Sequence, residues 1–325
     1  MTDKLKRAVL HPSRLALFLL RKTARLWPDK LFLQLKFRLE MGQKLDLDKP
    51  RTFNEKLQWL KLYNRKPEYT TMVDKYAVKE YVANIIGKEH IIPTLGLWNS
   101  VDEIDWDALP NQFVLKTTHG GGGGGVVICK DKTKFDKNKA RKVLQKSLDS
   151  DIYWNYREWP YKDVPKRIIA EQFMSNNGKD LEDYKIHSFN GEPKFILVCS
   201  NRYGNGAMID DFYSPIWELM DVRRPGHPKS EKASETPEQL QQMLEFSRRL
   251  SKDVPFLRTD FYIIDNKIYF GELTFFPASG MSKFEPQEWD LHFGEMIELG
   301  ASVCCTKKSS APYSNGRAML RSNSG

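Results

Sequence analysis

Six consecutive glycines, Gly120 to Gly125, separate two β-prone runs, Phe113-Val-Leu-Lys-Thr117 and Val126-Val-Ile-Cys129. A stretch of backbone without side chains between two such runs predicts a hairpin with a glycine-only lid and Lys116 at its foot. Glycine reaches the dihedrals that let consecutive N–H groups converge on an anion, and lysine adds a point charge. The pattern points to a nucleotide whose phosphates meet Lys116 and the loop Gly120, Gly121, Gly122, Gly123, Gly124 and Gly125. It is not a P-loop, because no Gly-Lys-Ser/Thr follows the glycines, and not the dinucleotide fingerprint, because a strand rather than a helix follows. The competing reading is a flexible low-complexity loop.

At 325 residues, 40% hydrophobic and 29% charged, the chain has the composition of a globular protein of two or three lobes. Its longest apolar run, Leu15 to Leu20, is six residues, against the roughly 20 needed to cross a bilayer. Cys129 and Cys199 lie in apolar runs and read as buried thiols, whereas Cys304 and Cys305 are adjacent and lack spaced partners. With six histidines and no ligand spacing, zinc is rejected. A reduced, cytoplasmic protein is expected.

The net charge of +9 is concentrated at the start, where residues 1–44 hold eleven Lys or Arg against Asp3, Asp29 and Glu40. Leu, Phe and Trp are interleaved with these cations. That fits an arm on an anionic membrane, at its inner face. The alternative is a pair of short helices packed on the body with a solvated basic face. Nucleic acid fits less well, since no recognised module accompanies the charge.

Periodicity predicts helices at 52–63, 71–86, 136–148, 236–251 and 287–299. Strands are expected at 90–98, 113–117, 126–130, 167–174, 182–189, 194–199, 259–264 and 267–276. Thr236-Pro237-Glu238 reads as a helix start, and Asn190-Gly191 as a hairpin turn. The expected division is a basic segment (1–50), a helical region (51–112), a lid subdomain (113–175), a C-terminal subdomain (176–302) and a disordered tail (303–325). Strands and helices alternate without a βαβ rhythm, so the class is α+β with antiparallel sheets.

Arg258, Asp260, Glu272 and Thr274 alternate at period two, so each pair shares a strand face. A three-residue turn centred on Asn266 would set Asp260 opposite Glu272 and Arg258 opposite Thr274. Facing carboxylates destabilise a sheet unless a cation lies between them. Two carboxylates suit magnesium, which fills its shell with water and phosphate oxygens, and Arg258 can clamp a phosphate or carboxylate beside it. A solvated hairpin face is the plain alternative. Lys116 and Lys185 are phosphate candidates or edge decoration. Glu171-Gln172-Phe173-Met174 reads as a linker offering backbone to an adenine edge. His119 and His187 are candidate substrate contacts.

Taken together, these residues resemble the ATP-grasp superfamily, and its TupA-like branch of bacterial polysaccharide and teichuronopeptide biosynthesis in particular. The resemblance runs from about Thr52 to Gly300. It is carried by Phe53-Asn-Glu-Lys-Leu-Gln-Trp59, Val73-Asp-Lys-Tyr-Ala-Val-Lys79, Ile92-Pro-Thr-Leu-Gly96, Phe113-Val-Leu-Lys-Thr-Thr-His-Gly120 and Glu272-Leu-Thr-Phe-Phe-Pro277. It implies an ATP-grasp fold with ATP between two lobes. Lys116 and Lys185 would hold phosphates, Glu171 to Met174 would form the adenine hinge, and Asp260 and Glu272 would bind magnesium near Arg258. Thr274 stands where many relatives carry asparagine, and the lid lacks the usual serine. The implied reaction activates a carboxylate as an acyl phosphate, which an amine then displaces. A sugar acid or glutamyl unit of a surface polymer is the implied acid, and an amino acid the amine. Rival expectations are a sugar kinase, a glycosyltransferase, or a non-catalytic membrane-peripheral scaffold.

Overall fold

A computed structural model describes residues 12–121, 124–176, 181–200 and 208–300. Gly122, Gly123 and the tail expected at 303–325 lie outside the described residues, as do residues 1–11 of the basic segment.

Nine strands form two antiparallel sheets among the described residues. β1 (Thr94–Trp98), β2 (Phe113–Thr117), β3 (Val126–Cys129) and β4 (Ile168–Gln172) pair in the order β1-β4-β2-β3. β5 (Asp183–Phe189), β6 (Glu192–Ser200), β7 (Ile209–Tyr213), β8 (Phe256–Ile264) and β9 (Lys267–Thr274) pair in the order β7-β6-β5-β8-β9. The sequence reading did not separate out β7. The smaller sheet covers its own core of Phe113, Leu115, Ile168 and Ala170 with Leu144 and Leu148 of helix Lys137–Leu148. Because β1 pairs with β4, this sheet starts upstream of the expected lid boundary at 113.

The larger core lies under the five-stranded sheet and includes residues of helix Phe53–Tyr63. Thr52 and Glu55 form a reciprocal capping box at the start of that helix, which satisfies two otherwise orphaned N–H groups. Phe53 then enters a ring cluster with Phe189, Phe256, Phe284 and Phe293.

The single helix expected at 71–86 is two, Glu68–Val73 and Ala77–Ile86. Asp74 breaks it: its carboxylate accepts from the N–H groups of Tyr76 and Ala77, while the Lys75 N–H donates to Thr118 O at 3.0 Å. The helix expected from 236 begins at Leu240, because Pro237 closes a turn by accepting from the Leu240 N–H. Cys129 and Cys199 are buried, and burial, with Asp210 beside it, pushes the Cys199 thiol up to about 12.

The N-terminal segment divides in two. Helix Asp29–Met41 buries Phe32, Leu33 and Phe37 completely and is part of the body. Helix Pro12–Lys22 buries only Leu20. Arg157, itself fully buried and left-handed at φ 58°, locks the junction. Its guanidinium donates to Ala24 O and Trp27 O, pairs with Asp29 at 2.8 Å, and lies 4.0 Å over the Phe32 ring.

The glycine loop joins β2 to β3, whose last pair is Lys116 with Val126. Two of its glycines are there for space. A Cβ on Gly120 would collide with Thr117 Oγ1, and one on Gly125 with Ser147, whereas one on Gly124 would meet nothing within 4 Å. The Thr117 and Ser147 hydroxyls are themselves hydrogen-bonded at 2.6 Å, so neither yields freely. Gly120→Ala and Gly125→Ala should each cost about 1–3 kcal/mol by overpacking, and Gly124→Ala within about 0.5 kcal/mol. Thermal denaturation of the three variants separates these outcomes.

Candidate active site

Two rows of side chains cross one face of the larger sheet. In the first, Lys185 of β5 pairs with Asp260 of β8, and Asp260 with Glu272 of β9. In the second, His187 pairs with Arg258 and Arg258 with Thr274. The Asp260–Glu272 register is as the sequence suggests, but its cause differs. The turn has two residues, Asp265 and Asn266, both at positive φ, and β9 regains the register by a bulge opposite Asp260–Phe261. The extra residue is Gly271, where a Cβ would lie 3.0 Å from the Tyr262 ring and 3.1 Å from Asp260 O.

The facing carboxylates are held by cations. Arg258 Nε donates to Asp260 Oδ1 at 2.6 Å, and its Nη2 donates to Asp260 Oδ2 at 2.7 Å and Glu272 Oε1 at 2.8 Å. Lys185 Nζ reaches Asp260 at 2.7 Å and Asp183 at 3.1 Å. Lys75 lies 3.5 Å from Glu272. Burial pulls the Arg258 guanidinium down, but Asp260 and Glu272 outweigh it and hold the pKa above its ordinary value. Burial pushes the Glu272 carboxyl up, and Lys75, Arg258 and Lys185 more than reverse this. The Asp260 side chain is 2% exposed and that of Glu272 40%.

A second cluster stands on the smaller sheet. Glu171 of β4 pairs with Lys79 at 2.7 Å and Lys116 of β2 at 2.5 Å. Burial raises its carboxyl, but the two ammoniums hold it below its ordinary value. The two clusters are joined through one short segment, since Lys75 reaches Glu272 and Lys79, four residues on, reaches Glu171. Each ammonium has three donors, and the described contacts of Lys116 use one.

This geometry corrects several expectations. Glu171 and Gln172 are not a free hinge: both sit in the β4 ladder, and Gln172 N–H donates to Pro93 O. Only Phe173 and Met174 begin the segment between the two sheets. His119 is buried beside Ser147, Ser150, Asp151 and Lys166, none of which belongs to the carboxylate rows. His187 lies on the second row, but its ring stacks on Phe195 at 4.1 Å and its Nδ1 bonds Lys185 O. Burial, then Arg258, holds it well below its ordinary pKa, so it packs as a neutral core histidine.

Lys75 and Lys79 were missed, although both lie in Val73–Lys79, one of the stretches that carry the resemblance. Lys61 was missed too. It is fully buried and donates to Gln58, Tyr156 O and both oxygens of Ser279. With Gln58 it fixes the turn after β9, where Ala278, Ser279 and Gly280 all have positive φ.

Asp260 and Glu272 fit a magnesium ion by donor chemistry. They are hard carboxylates at facing positions, and the half-exposed Glu272 can share an ion whose other ligands are water and phosphate. Among the described residues no group of three or more His, Cys, Asp or Glu is placed to hold a metal alone.

Two antiparallel sheets, one carrying Lys116 and a glycine loop beside helix-borne Lys79 and the other a carboxylate row beside an arginine, define an ATP-grasp protein. Residues 55–298 match the TupA-like ATP-grasp family, and the chain belongs to it, which makes it an enzyme of the ATP-grasp ligase class. No curated protein matches the chain. Among solved structures it is similar to the D-alanine–D-alanine ligase of Helicobacter pylori, at 18% identity over 75% of this chain and 69% of that one, TM-score 0.42. It is also similar to the Bacillus anthracis enzyme complexed with ATP, at 15% over 63% and 53%, TM-score 0.37. A third is a RimK domain protein ATP-grasp of Sphaerobacter thermophilus, at 11% over 72% and 70%, TM-score 0.40.

Two predictions follow from burial. Asp260→Asn should destabilise the fold by about 3 kcal/mol, because it strips a buried partner from Arg258 and Lys185, whereas Glu272→Gln should leave the melting temperature nearly unchanged. Denaturant titration of the two variants checks this. For Glu171 the folded carboxyl sits below its ordinary value of 4.5. Its stabilisation is complete above that value and is lost as pH falls through the lower folded one. Glu171→Gln should therefore cost about 3–5 kcal/mol at pH 7 and flatten the acid limb of the stability–pH curve below about pH 4.5.

Proposed function

We propose that this protein is an ATP- and magnesium-dependent carboxylate–amine ligase. Its acid would be a sugar acid or glutamyl unit of a bacterial surface polysaccharide or precursor, and its amine an amino acid. The proposed setting is the cytoplasm. The observation that carries the reading is the Lys185–Asp260–Glu272 row beside Arg258, faced by Lys116, Lys79 and Lys75.

In this reading a substrate carboxylate oxygen attacks the γ-phosphorus of ATP, and ADP leaves with the electron pair of the broken P–O bond. The amine nitrogen then attacks the acyl carbon, the C–O bond to phosphate breaks, and the amine proton passes to solvent. Lys116 and Lys79 orient phosphate oxygens, with Glu171 fixing both ammoniums. Arg258 uses Nε and Nη2 on its carboxylates in the described contacts, which leaves Nη1 for a substrate oxygen. Asp260 and Glu272 would hold magnesium, which supplies charge neutralisation at the phosphates. Catalysis of this kind is positioning and electrostatics. The +9 net charge suits an anionic polymer precursor.

The test is product analysis with magnesium-ATP, a panel of uronic acids and glutamyl compounds, and amino acids. A ligase releases ADP and free phosphate only when acid and amine are both present. Glu272→Gln should lower that rate at least 100-fold with the melting temperature held. ADP formation with phosphate transferred to a sugar hydroxyl would overturn the reading in favour of a kinase.

A further inference from the structure

Helix Pro12–Lys22 lies against the body by one edge and offers the other to solvent. Leu15, Phe18 and Leu19, spaced i, i+3 and i+4, are 44%, 55% and 54% exposed. Leu26, in the following turn, is 80% exposed. Four exposed large apolar side chains within twelve residues are costly in water. The segment 12–28 also holds Arg14, Arg21, Lys22 and Arg25 and no Asp or Glu. Arg21 pairs with Glu40, but Arg14, Lys22 and Arg25 have no acidic partner among the described residues. Lys22 lies 5.7 Å over the Phe18 ring and Arg25 5.5 Å over Trp154, so the cations flank the apolar face. A groove of about 390 Å³ opens between this turn and Trp154, lined by Arg21, Lys22, Arg25 and Leu26. Its one acid, Asp151, is turned to its own helix, capping the Trp154 N–H at 3.1 Å.

We propose that Pro12–Leu26 docks this protein on an anionic phospholipid bilayer. Leu15, Phe18, Leu19 and Leu26 enter the acyl boundary, and Arg14, Lys22 and Arg25 meet headgroup phosphates. An apolar stripe between unpaired cations matches an interfacial helix. It also matches the combined chemistry of a bilayer better than that of a soluble polyanion, which has no place for four apolar side chains. The docking element is much shorter than residues 1–44, because helix Asp29–Met41 is committed to the core. The platform is rigid: Leu20 and Ala24 are buried with Phe32, and Arg157 holds the Ala24 and Trp27 carbonyls.

The proposal is independent of the ligase reading, and magnesium-ATP affinity measured on the same samples keeps the two apart. The full chain is sedimented with phosphatidylcholine vesicles and with vesicles containing phosphatidylglycerol. The variants are Leu15→Ser/Phe18→Ser/Leu19→Ser and Arg14→Gln/Lys22→Gln/Arg25→Gln. Wild type should bind the anionic vesicles and release in high salt. The charge variant should bind about 100-fold more weakly at low salt, from roughly fivefold per cation, and the apolar variant at least 10-fold more weakly. Both should keep the wild-type melting temperature and ATP affinity. Equal binding to neutral vesicles, or unchanged binding in either variant, would overturn the proposal. Loss with the charge variant alone would instead mark a polyanion site. A dimer in solution that the apolar variant dissolves, with no vesicle binding, would mark a second copy as the occupant.

Discussion

Two carboxylates face each other on neighbouring strands, and the rest of the site answers that arrangement. Asp260 and Glu272 would repel across β8 and β9 if Arg258 did not reach both. One guanidinium can do this because its donors form a planar fork. Lys185 completes Asp260 from β5 and Lys75 approaches Glu272 from outside the sheet. Three elements distant in sequence are therefore tied to one pair of acids.

Glu171 plays the same part with reversed sign. It separates Lys79 and Lys116, which would otherwise stand together uncompensated, and it is buried at 5% exposure. A carboxylate between two ammoniums holds both in place while leaving further donors on each. The lysines come from helix Ala77–Ile86 and strand β2, so the acid also fastens that helix to the smaller sheet. Preorganised charge costs no rearrangement when an anion arrives, and in the proposed function that anion is a polyphosphate.

The sheets were legible because their strands are short, alternating and punctuated by Asn190-Gly191 and Asp265-Asn266. The Asp260–Glu272 pairing was legible from period-two spacing with a three-residue turn centred on Asn266, although the two-residue turn and the bulge at Gly271 that actually produce it were not. A two-residue turn and one bulge shift the register by the same step as a three-residue turn, so sequence spacing cannot tell them apart. The roles of Glu171 and Lys61 were hidden for another reason. Each depends on partners far along the chain: Lys79 and Lys116 for Glu171, Ser279 for Lys61. The break at Asp74 was hidden because an apolar period continues across it, and only the carboxylate's bonds to Tyr76 and Ala77 stop the helix. His119 and His187 stand out in a sequence with six histidines, yet burial makes both poor carriers of charge.

The glycine run shows why composition alone misassigns a role. Its purity suggests mobility throughout, but the loop is anchored at both ends. Thr117 is bonded to Ser147, Thr118 Oγ1 to Pro165 O at 2.6 Å, and Gly120 and Gly125 lack the room for a Cβ. Ser147 touches both ends because it sits late in helix Lys137–Leu148, which also packs on β2 and β3. The same helix that supplies the small sheet's core thus fixes where the loop leaves β2 and where it rejoins β3. Gly120 and Gly125 therefore owe their missing side chains to close packing against Thr117 and Ser147 rather than to a backbone conformation only glycine adopts.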